Sequence, residues 1–488
     1  MQTHRIGRQT IHLAVSRRAD AFAVQAEMGR QFWAAAAPAL ERLFDRLASP
    51  DQLVELDLLD LNLGRFSEQE IESGAFVGRL VGLVEAAILE KTSQKTTAEN
   101  SKKPLAEGFF DRWIFFLENG WLPFHQSPPS VEIWEEAVLK ILAANSWAVV
   151  RLRVLMQKNE AARRRLARQF DPVFLKKMIV VVVARSVEKW MNLLDSLRFS
   201  LKIGRKTSAS PFSERFLETV FLETLFEKTM VEEDWSGEAE NLLAAFFSKK
   251  EMAVSRSFFE KTAAENAARL PVLTAFFSKK MESSEVENDV FEKENLPRLE
   301  IKTDLDFSKK EATATEIFVR QAGIVLLHPF LPRFFEKMGL KNDAPTEPTD
   351  WFRDRAAQEK AVALLDFLAF AKAERSLESE LSLPKMLCGL PLNWPLDRRE
   401  FLTKKEKREA EKLLRAVVEH WGALGKASPD GLREGFLQRD GKLWKSANST
   451  WQLQVERRTL DLLLDRLPYG IGLVKLSWMP DFLQVNWI

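Results

Sequence analysis

The chain has 488 residues, of which 71 are lysine or arginine and 70 are aspartate or glutamate. This balance gives no net charge that would select nucleic acid or an anionic membrane, and the length favours two or three domains. A single cysteine, Cys388, excludes an internal disulfide framework and any multi-cysteine metal site, and it fits assembly in a reducing compartment.

The first 65 residues predict a strand–helix–strand module. Ile11, Leu13 and Val15 occupy alternating positions, as in a strand, and a helix with apolar residues about every 3.6 positions follows as far as Ser49. Residues 53–64 (LVELDLLDLNLG) alternate apolar and polar side chains and change phase once. Such a slip indicates a bulge or two strands that meet at a bend.

Helices are predicted beyond this module. Ser67 and Glu70 have the spacing of a capping box, so a helix should run to about Leu89. Residues 90–107 are polar and are interpreted as a linker, and an aromatic-rich buried helix is expected near 109–121. Ser130, after two prolines, should begin another helix over 131–147.

Residues 151–177 are strongly basic, with nine lysines or arginines against two acidic residues. One interpretation is a helix that binds nucleic acid phosphates or an anionic surface. The other is a solvated helix face whose charge is balanced by nearby acidic segments. The apolar run that follows, residues 178–184, is too short to span a membrane and is predicted to be a buried strand or helical turn.

Short sequence repeats mark the region 212–311. The string Phe-Ser-Lys-Lys begins at 247, 277 and 307, and Phe-Glu-Lys begins at 226, 259 and 291. A spacing near thirty residues is typical of helix-hairpin repeats, but a duplicated insert would also produce it. Both interpretations are open.

The segment Ala322–Leu340 (AGIVLLHPFLPRFFEKMGL) is predicted to lie at the centre of the C-terminal core. It is too apolar for a surface loop and too short for a membrane span, and its prolines precede a short helix that stops at Gly339. Asp350 should cap a helix over 351–372. Thr403 and Glu406 have capping-box spacing for a helix to His420.

The last sixty residues change to a period of two, which is typical of strands. A hairpin is predicted from 441–446 and Trp451–Val455, followed by helical turns at 459–466. Two further strands are predicted at 471–476 and 482–487. We predict that Trp478, Phe482 and Trp487 are exposed aromatic residues that contact other proteins.

No catalytic, cofactor-binding or metal-binding residue is predicted. The five histidines are scattered, and common nucleotide-binding and hydrolase motifs are missing from the sequence. Glu55, Asp57 and Asp60 could hold a hard metal ion, but their alternation with apolar residues favours a solvent-facing strand. His328 could act as a base, but a bond to a neighbouring carbonyl is the preferred interpretation, and Cys388 is expected in the core.

Seven ordered blocks of sequence resemble the contractile injection system tape measure protein family of phage-tail-like particles. Near the N-terminus these are HRIGRQTIHLAV, PALERLFDRL and LDLLDLNLG. The C-terminal blocks include AGIVLLHPFLPRFFEKMGL, KMLCGLPLNWPL, EHWGALGKASPDGLREGFLQRDGKL and LDRLPYGIGLVKLSWMPDFLQVNW. The resemblance covers about residues 4–65 and 316–488.

This resemblance implies a non-enzymatic protein that sets inner tube length while an injection particle assembles. Its partners would be inner tube, baseplate hub or cap subunits, and self-association of the chain is open. No nucleic acid, cofactor or stable membrane insertion is expected. The chain would be cytoplasmic during assembly and could remain in the tube lumen of the finished particle. The alternatives are an assembly chaperone, a tube-end or cap factor, or an enzyme or toxin cargo.

Together these patterns predict an α+β protein dominated by helices. The expected parts are an N-terminal α+β module at 1–89, a linker with a short aromatic helix at 90–130, a helical middle at 131–311 and a mixed C-terminal domain at 312–488. A ruler built from this chain would either unfold in the tube or measure with its helical middle alone.

Overall fold

A computed structural model describes most of the chain. The described residues are 4, 6, 9–14, 21–49, 51–56, 58–93, 100–124, 130–183, 188–204, 214–231, 239–253, 255–282, 316–345, 347–371, 376–396, 402–446 and 448–487. They form two compact units, one of residues 1–113 and 132–141 and one of residues 114–131 and 142–488. The predicted α+β class is confirmed. The predicted domain boundaries remain a prediction.

The first unit is built mainly on a long amphipathic helix that changes pitch near its middle. Its elements in chain order are α1 (Ala21–Gln31), a π-helix (Phe32–Ala36), α2 (Ala37–Leu47), β1 (Gln52–Leu56), α3 (Glu68–Glu72), α4 (Phe76–Ser93) and β2 (Asn100–Pro104). Helices α5 (Leu105–Asn119) and α6 (Val131–Ala144) carry residues of both units. The core of this unit buries Met28, Phe32, Leu40, Leu43 and Phe76.

Two of the predicted N-terminal features are correct and two are wrong. The Ser67–Glu70 capping box is present, with Ser67 N donating to Glu70 Oε2 over 2.7 Å. However, residues 9–14 form no strand, and Val15 lies outside the described residues. Residues 100–104 belong to no linker. They form β2, which pairs antiparallel with β1. The strand is stabilised by backbone hydrogen bonds to β1, and these cannot be predicted from a polar sequence that lacks an apolar alternation. The second correct feature is the helix that ends before Ser49.

The helical part of the second unit is formed by short, closely packed helices. These are α7 (Ser146–Lys158), α8 (Glu160–Gln169), α9 (Pro172–Val183), α10 (Glu188–Gly204), α11 (Glu214–Val231), α12 (Ala239–Ser248), α13 (Lys250–Ala253), α14 (Arg256–Glu265) and α15 (Pro271–Glu282). The apolar run 178–183 is therefore helical. Among the described residues no helix combines the length and the apolar character needed to cross a membrane.

The remainder of the second unit surrounds a small sheet with helices and single turns. The elements are β3 (Ile317–Val319), α16 (Leu331–Lys337), α17 (Arg355–Phe370), α18 (Ser382–Leu387), α19 (Lys404–His420), α20 (Pro429–Leu432), β4 (Gly441–Lys445), β5 (Trp451–Val455), β6 (Leu473–Val474) and β7 (Leu483–Asn486). 3-10 helices lie at Ala322–Phe330, Pro348–Trp351, Glu378–Glu380, Gly422–Leu424 and Thr459–Arg466, and a π-helix lies at Arg433–Leu437.

The sheet has the strand order β3-β4-β5-β7-β6. Strands β5 and β7 are parallel, and every other pair is antiparallel. Inward positions such as Leu453 and Val485 are buried, whereas Gln454 and Asn486 are exposed, as the period of two predicted. The capping box of Thr403 and Glu406 is also confirmed. The cap of α17 is Asp354 and not Asp350, since Asp354 Oδ1 accepts the hydrogen bond from Ala357 N over 2.7 Å.

Candidate functional site: the C-terminal core and its buried charges

The segment Ala322–Leu340 lies in the C-terminal core, as predicted. Its first six residues are completely or almost completely buried, and they lack polar side chains altogether. Gly323 is required there because a Cβ atom built on it would lie 1.7 Å from the carbonyl oxygen of Phe436. Ala322 N donates to Arg439 O over 2.8 Å, so the segment is also tied to the backbone before β4.

The only tyrosine of the chain also forms a hydrogen bond with this segment. Tyr469 Oη donates to Leu326 O over 2.9 Å, and burial raises the pKa of Tyr469. His328 Nδ1 lies 2.9 Å from Val325 O, which confirms the predicted bond to a neighbouring carbonyl. Burial lowers the pKa of His328, so the ring is neutral at pH 7 and suits a structural role.

A cluster of three fully buried charged side chains lies in the same unit. The three are Arg165 of α8, Glu378 of the 3-10 helix Glu378–Glu380, and Lys385 of α18. Each has 0% side-chain exposure. Arg165 Nε donates to Glu378 Oε1 over 3.0 Å, and Lys385 Nζ donates to the same oxygen over 2.6 Å. The cluster therefore places two cations around one carboxylate.

Backbone groups complete the hydrogen bonds of this cluster. Glu378 Oε2 accepts from Leu396 N over 3.1 Å, Lys385 Nζ donates to Leu392 O over 2.8 Å, and Arg165 Nη2 donates to Asn393 O over 2.7 Å. Gln169 Oε1 accepts from Glu378 N over 2.9 Å. The cluster thus joins helix α8 to residues 378–396, more than 200 positions away in the sequence.

Gly120 provides the space that the cluster needs. Its φ of 80° is in the left-handed region, and a Cβ atom there would lie 2.5 Å from Glu378 Oε1 and 2.7 Å from Arg165 Nη2. A glycine therefore serves both the turn after α5 and the close approach of the charges.

The basic stretch 151–177 is only partly a solvated surface. Arg165 is part of the buried cluster, and Arg168 Nε donates to Glu223 over 2.9 Å. Arg153 Nη2 donates to Val182 O over 2.9 Å. These three arginines form hydrogen bonds within the chain. They therefore fit neither the interpretation as a phosphate-binding helix nor the interpretation as a solvated helix face.

Because of Lys385, the free energy of unfolding of the chain should vary with pH in the alkaline range. Burial lowers the pKa of Lys385 to about 8 from the ordinary 10.5, although Glu378 opposes this shift. Between these values the unfolded chain binds more protons than the folded chain, so the free energy of unfolding should rise with pH, by at most about 3 kcal/mol. Chemical denaturation from pH 7.5 to pH 9.5 would measure this rise.

The matched control is Lys385→Met, which keeps the apolar stem and removes the titrating group. The difference in unfolding free energy between the two proteins isolates Lys385 from other groups that titrate at alkaline pH. A difference that stays constant across the range would contradict the assignment.

The three predicted contact residues occupy different environments. Trp478 and Trp487 are each 1% exposed, so the prediction that they are exposed is wrong. Trp478 Nε1 donates to Leu387 O over 2.7 Å, and Trp487 Nε1 donates to Asp461 Oδ2 over 3.2 Å. Both indoles fill the core while their polar edges are satisfied. Phe482 is 45% exposed, and its role as a contact residue remains a prediction.

The other candidate residues have structural surroundings. Cys388 is fully buried, as expected, and burial raises the pKa of its thiol. Glu55 lies 3.3 Å from Arg112 in an ion pair, Asp60 is exposed, and Asp57 lies outside the described residues. Within the described ranges no group of three or more potential ligands could hold a metal ion.

Local sequence patterns did not reveal the buried charge cluster. Arg165 belongs to the run Arg163–Arg165, which resembles a surface helix. The available signal was Lys385, the one charged residue in the apolar stretch 381–390 (LSLPKMLCGL). A lone lysine in such a stretch indicates a buried cation that requires a carboxylate partner.

The sequence model of the contractile injection system tape measure protein family matches residues 3–487. The chain belongs to this family. The match extends beyond the two terminal regions that carried the resemblance and includes the helical middle of this tape measure family member. No curated protein and no solved structure matches the chain significantly.

Proposed function

We propose that this chain sets the length of the inner tube during assembly of a contractile injection particle. The family match over residues 3–487 is the observation that supports this role most strongly. In this proposal the chain acts in the cytoplasm during assembly and contacts inner tube, baseplate hub or cap subunits. It works without catalysis, through protein contacts such as the exposed ring of Phe482.

The repeated helices provide a physical basis for a change in length. The same string, AFFSKK, occurs at 245–250, where α12 ends and α13 begins, and at 275–280, within the last turns of α15. The ring centroids of Phe247 and Phe277, which are equivalent residues of the two copies, lie 5.4 Å apart. Phe259 of α14 lies between the copies in sequence and packs 5.6 Å from Phe247. The third copy, at 307, lies outside the described residues.

Because the two copies have the same sequence, one repeat can be deleted without creating a sequence at the junction that the natural chain lacks. Deletion of residues 247–276 joins Phe246 to Phe277 and restores a single AFFSKK string. Tube length in purified particles, measured by electron microscopy, should then fall by one uniform step. The step would be about 45 Å if the middle is a continuous helix, about 100 Å if it is extended, and about 10 Å if folded helix pairs stack side by side.

An assembly chaperone or a tube-end factor gives a different result. Tube length would stay fixed while particle yield falls, which would contradict the length-setting role. The control is an insertion of thirty glycine and serine residues at the hairpin tip between β4 and β5, near Ser449. Loop tips tolerate insertions, and this one lengthens the chain without lengthening the helical middle, so tube length should not change.

A further inference from the structure

The first unit exposes an apolar stripe along α1 and the π-helix that follows it. Phe22 is 83% exposed and Trp33 is 75% exposed, and the exposed residues Ala26 and Gly29 lie between them. The spacings of four, three and four residues place all four on one narrow face of the helix. We call this face the α1 stripe.

The α1 stripe is separate from the face that builds the core. Met28, Phe32 and Ala36 are buried on a neighbouring face of the same helix. The Phe32 ring supports Trp33 edge-on, with ring centroids 5.4 Å apart. Two large aromatic side chains held in water on a helix that already has a buried face indicate an interaction surface.

The order of side chains in the α1 stripe is symmetric about its own centre. Phe22 and Trp33 are equally distant in sequence from the midpoint of Ala26 and Gly29, so the pattern is bulky, small, small, bulky. A two-fold interface uses the same patch on both partners, and an antiparallel copy of this stripe would set Phe22 opposite Trp33 and Ala26 opposite Gly29.

The shape of the stripe suits this arrangement. No atom lies within 4 Å of a Cβ built on Gly29, so the centre of the stripe is open to a second helix. Small residues at a crossing point permit close approach, and bulky residues fill the space where crossed helices diverge. Beside the stripe, Arg30 Nε donates to Glu27 Oε2 over 2.9 Å, so these two charges neutralise each other.

We propose that the α1 stripe is a homodimer interface, in which it packs antiparallel on the α1 stripe of a second copy of the chain. This inference does not depend on the proposed role in tube length.

The test compares three full-length proteins by light scattering over a concentration series. The wild-type chain should approach twice the 56.0 kDa mass of a single chain. Phe22→Glu/Trp33→Glu places like charges opposite each other at both ends of the interface. It should raise the dimer dissociation constant at least tenfold above that of Phe22→Glu/Trp33→Lys, which places opposite charges there.

The two variants change the same exposed positions, so their circular dichroism and their melting temperatures, compared at a concentration low enough for both to be monomeric, should match. A wild-type chain that remains at single-chain mass would overturn the proposal and indicate that another subunit or segment covers the stripe. Equal dissociation constants for the two variants would also overturn it, because antiparallel pairing requires a difference.

Discussion

Replacement of Glu378 by glutamine is expected to destabilise the folded chain by about 3–5 kcal/mol. Glutamine preserves the volume and one acceptor oxygen, but it removes the negative charge and replaces the other acceptor oxygen with an NH2 group that cannot accept the hydrogen bonds made there. Arg165 and Lys385, both fully buried, would then lack a compensating carboxylate at Glu378. Removal of one member of a buried ion pair is costly because the remaining charge is left in a medium that solvates it poorly.

The control for this prediction is Lys385→Met. It leaves Arg165 and Glu378 as a balanced pair and removes the bonds from Lys385 Nζ to Leu392 O and to Glu378 Oε1, which still accepts from Arg165, so its cost should be about 1–2 kcal/mol. Equilibrium denaturation at pH 7 would rank the two variants. A larger loss for Lys385→Met than for Glu378→Gln would show that the carboxylate does not hold the cluster together.

Replacement of Gly323 by alanine is expected to cost about 3 kcal/mol or more. The new methyl group would meet the carbonyl oxygen of Phe436 at 1.7 Å, and the next nearest atoms, Phe436 C at 2.7 Å and Leu437 Cα at 3.0 Å, also belong to the backbone. Backbone atoms cannot move aside as the end of a flexible side chain can. The 3-10 helix Ala322–Phe330 and the π-helix Arg433–Leu437 would have to separate.

Gly422→Ala is the matched control in the same unit. No atom lies within 4 Å of a Cβ built on Gly422, so the change in unfolding free energy should be within about 0.5 kcal/mol. Thermal and chemical unfolding of both variants would measure these changes in unfolding free energy. Similar stabilities for the two alanine variants would mean that the central segment does not pack as closely as described.

Features governed by local contacts could be predicted from the sequence. The capping boxes at Ser67 and Thr403 depend on residues three positions apart, and both are present. The central segment was predictable because an apolar run without a period has no solvent-facing side. The β4–β5 hairpin followed from alternation on both sides of a short turn.

Features governed by distant contacts could not be predicted. Arg165 and Glu378 are 213 positions apart, so neither neighbourhood indicates the other. Alternation identifies one face of a strand but does not say whether another element covers it, and Trp487, which we predict to be exposed, lies in the core. Strand β2 is polar and forms by pairing with β1, and residues 9–14 alternate without a partner strand among the described residues.

The measurement that tests the length-setting role most directly is tube length after duplication of residues 247–276. The duplicated unit joins Phe276 to Phe247 and so repeats the natural AFFSKK junction. If the chain sets tube length, the tubes should be longer than wild type by one uniform step, equal in size to the shortening caused by deletion of the same residues. Tubes of wild-type length in particles that contain the longer chain would contradict it.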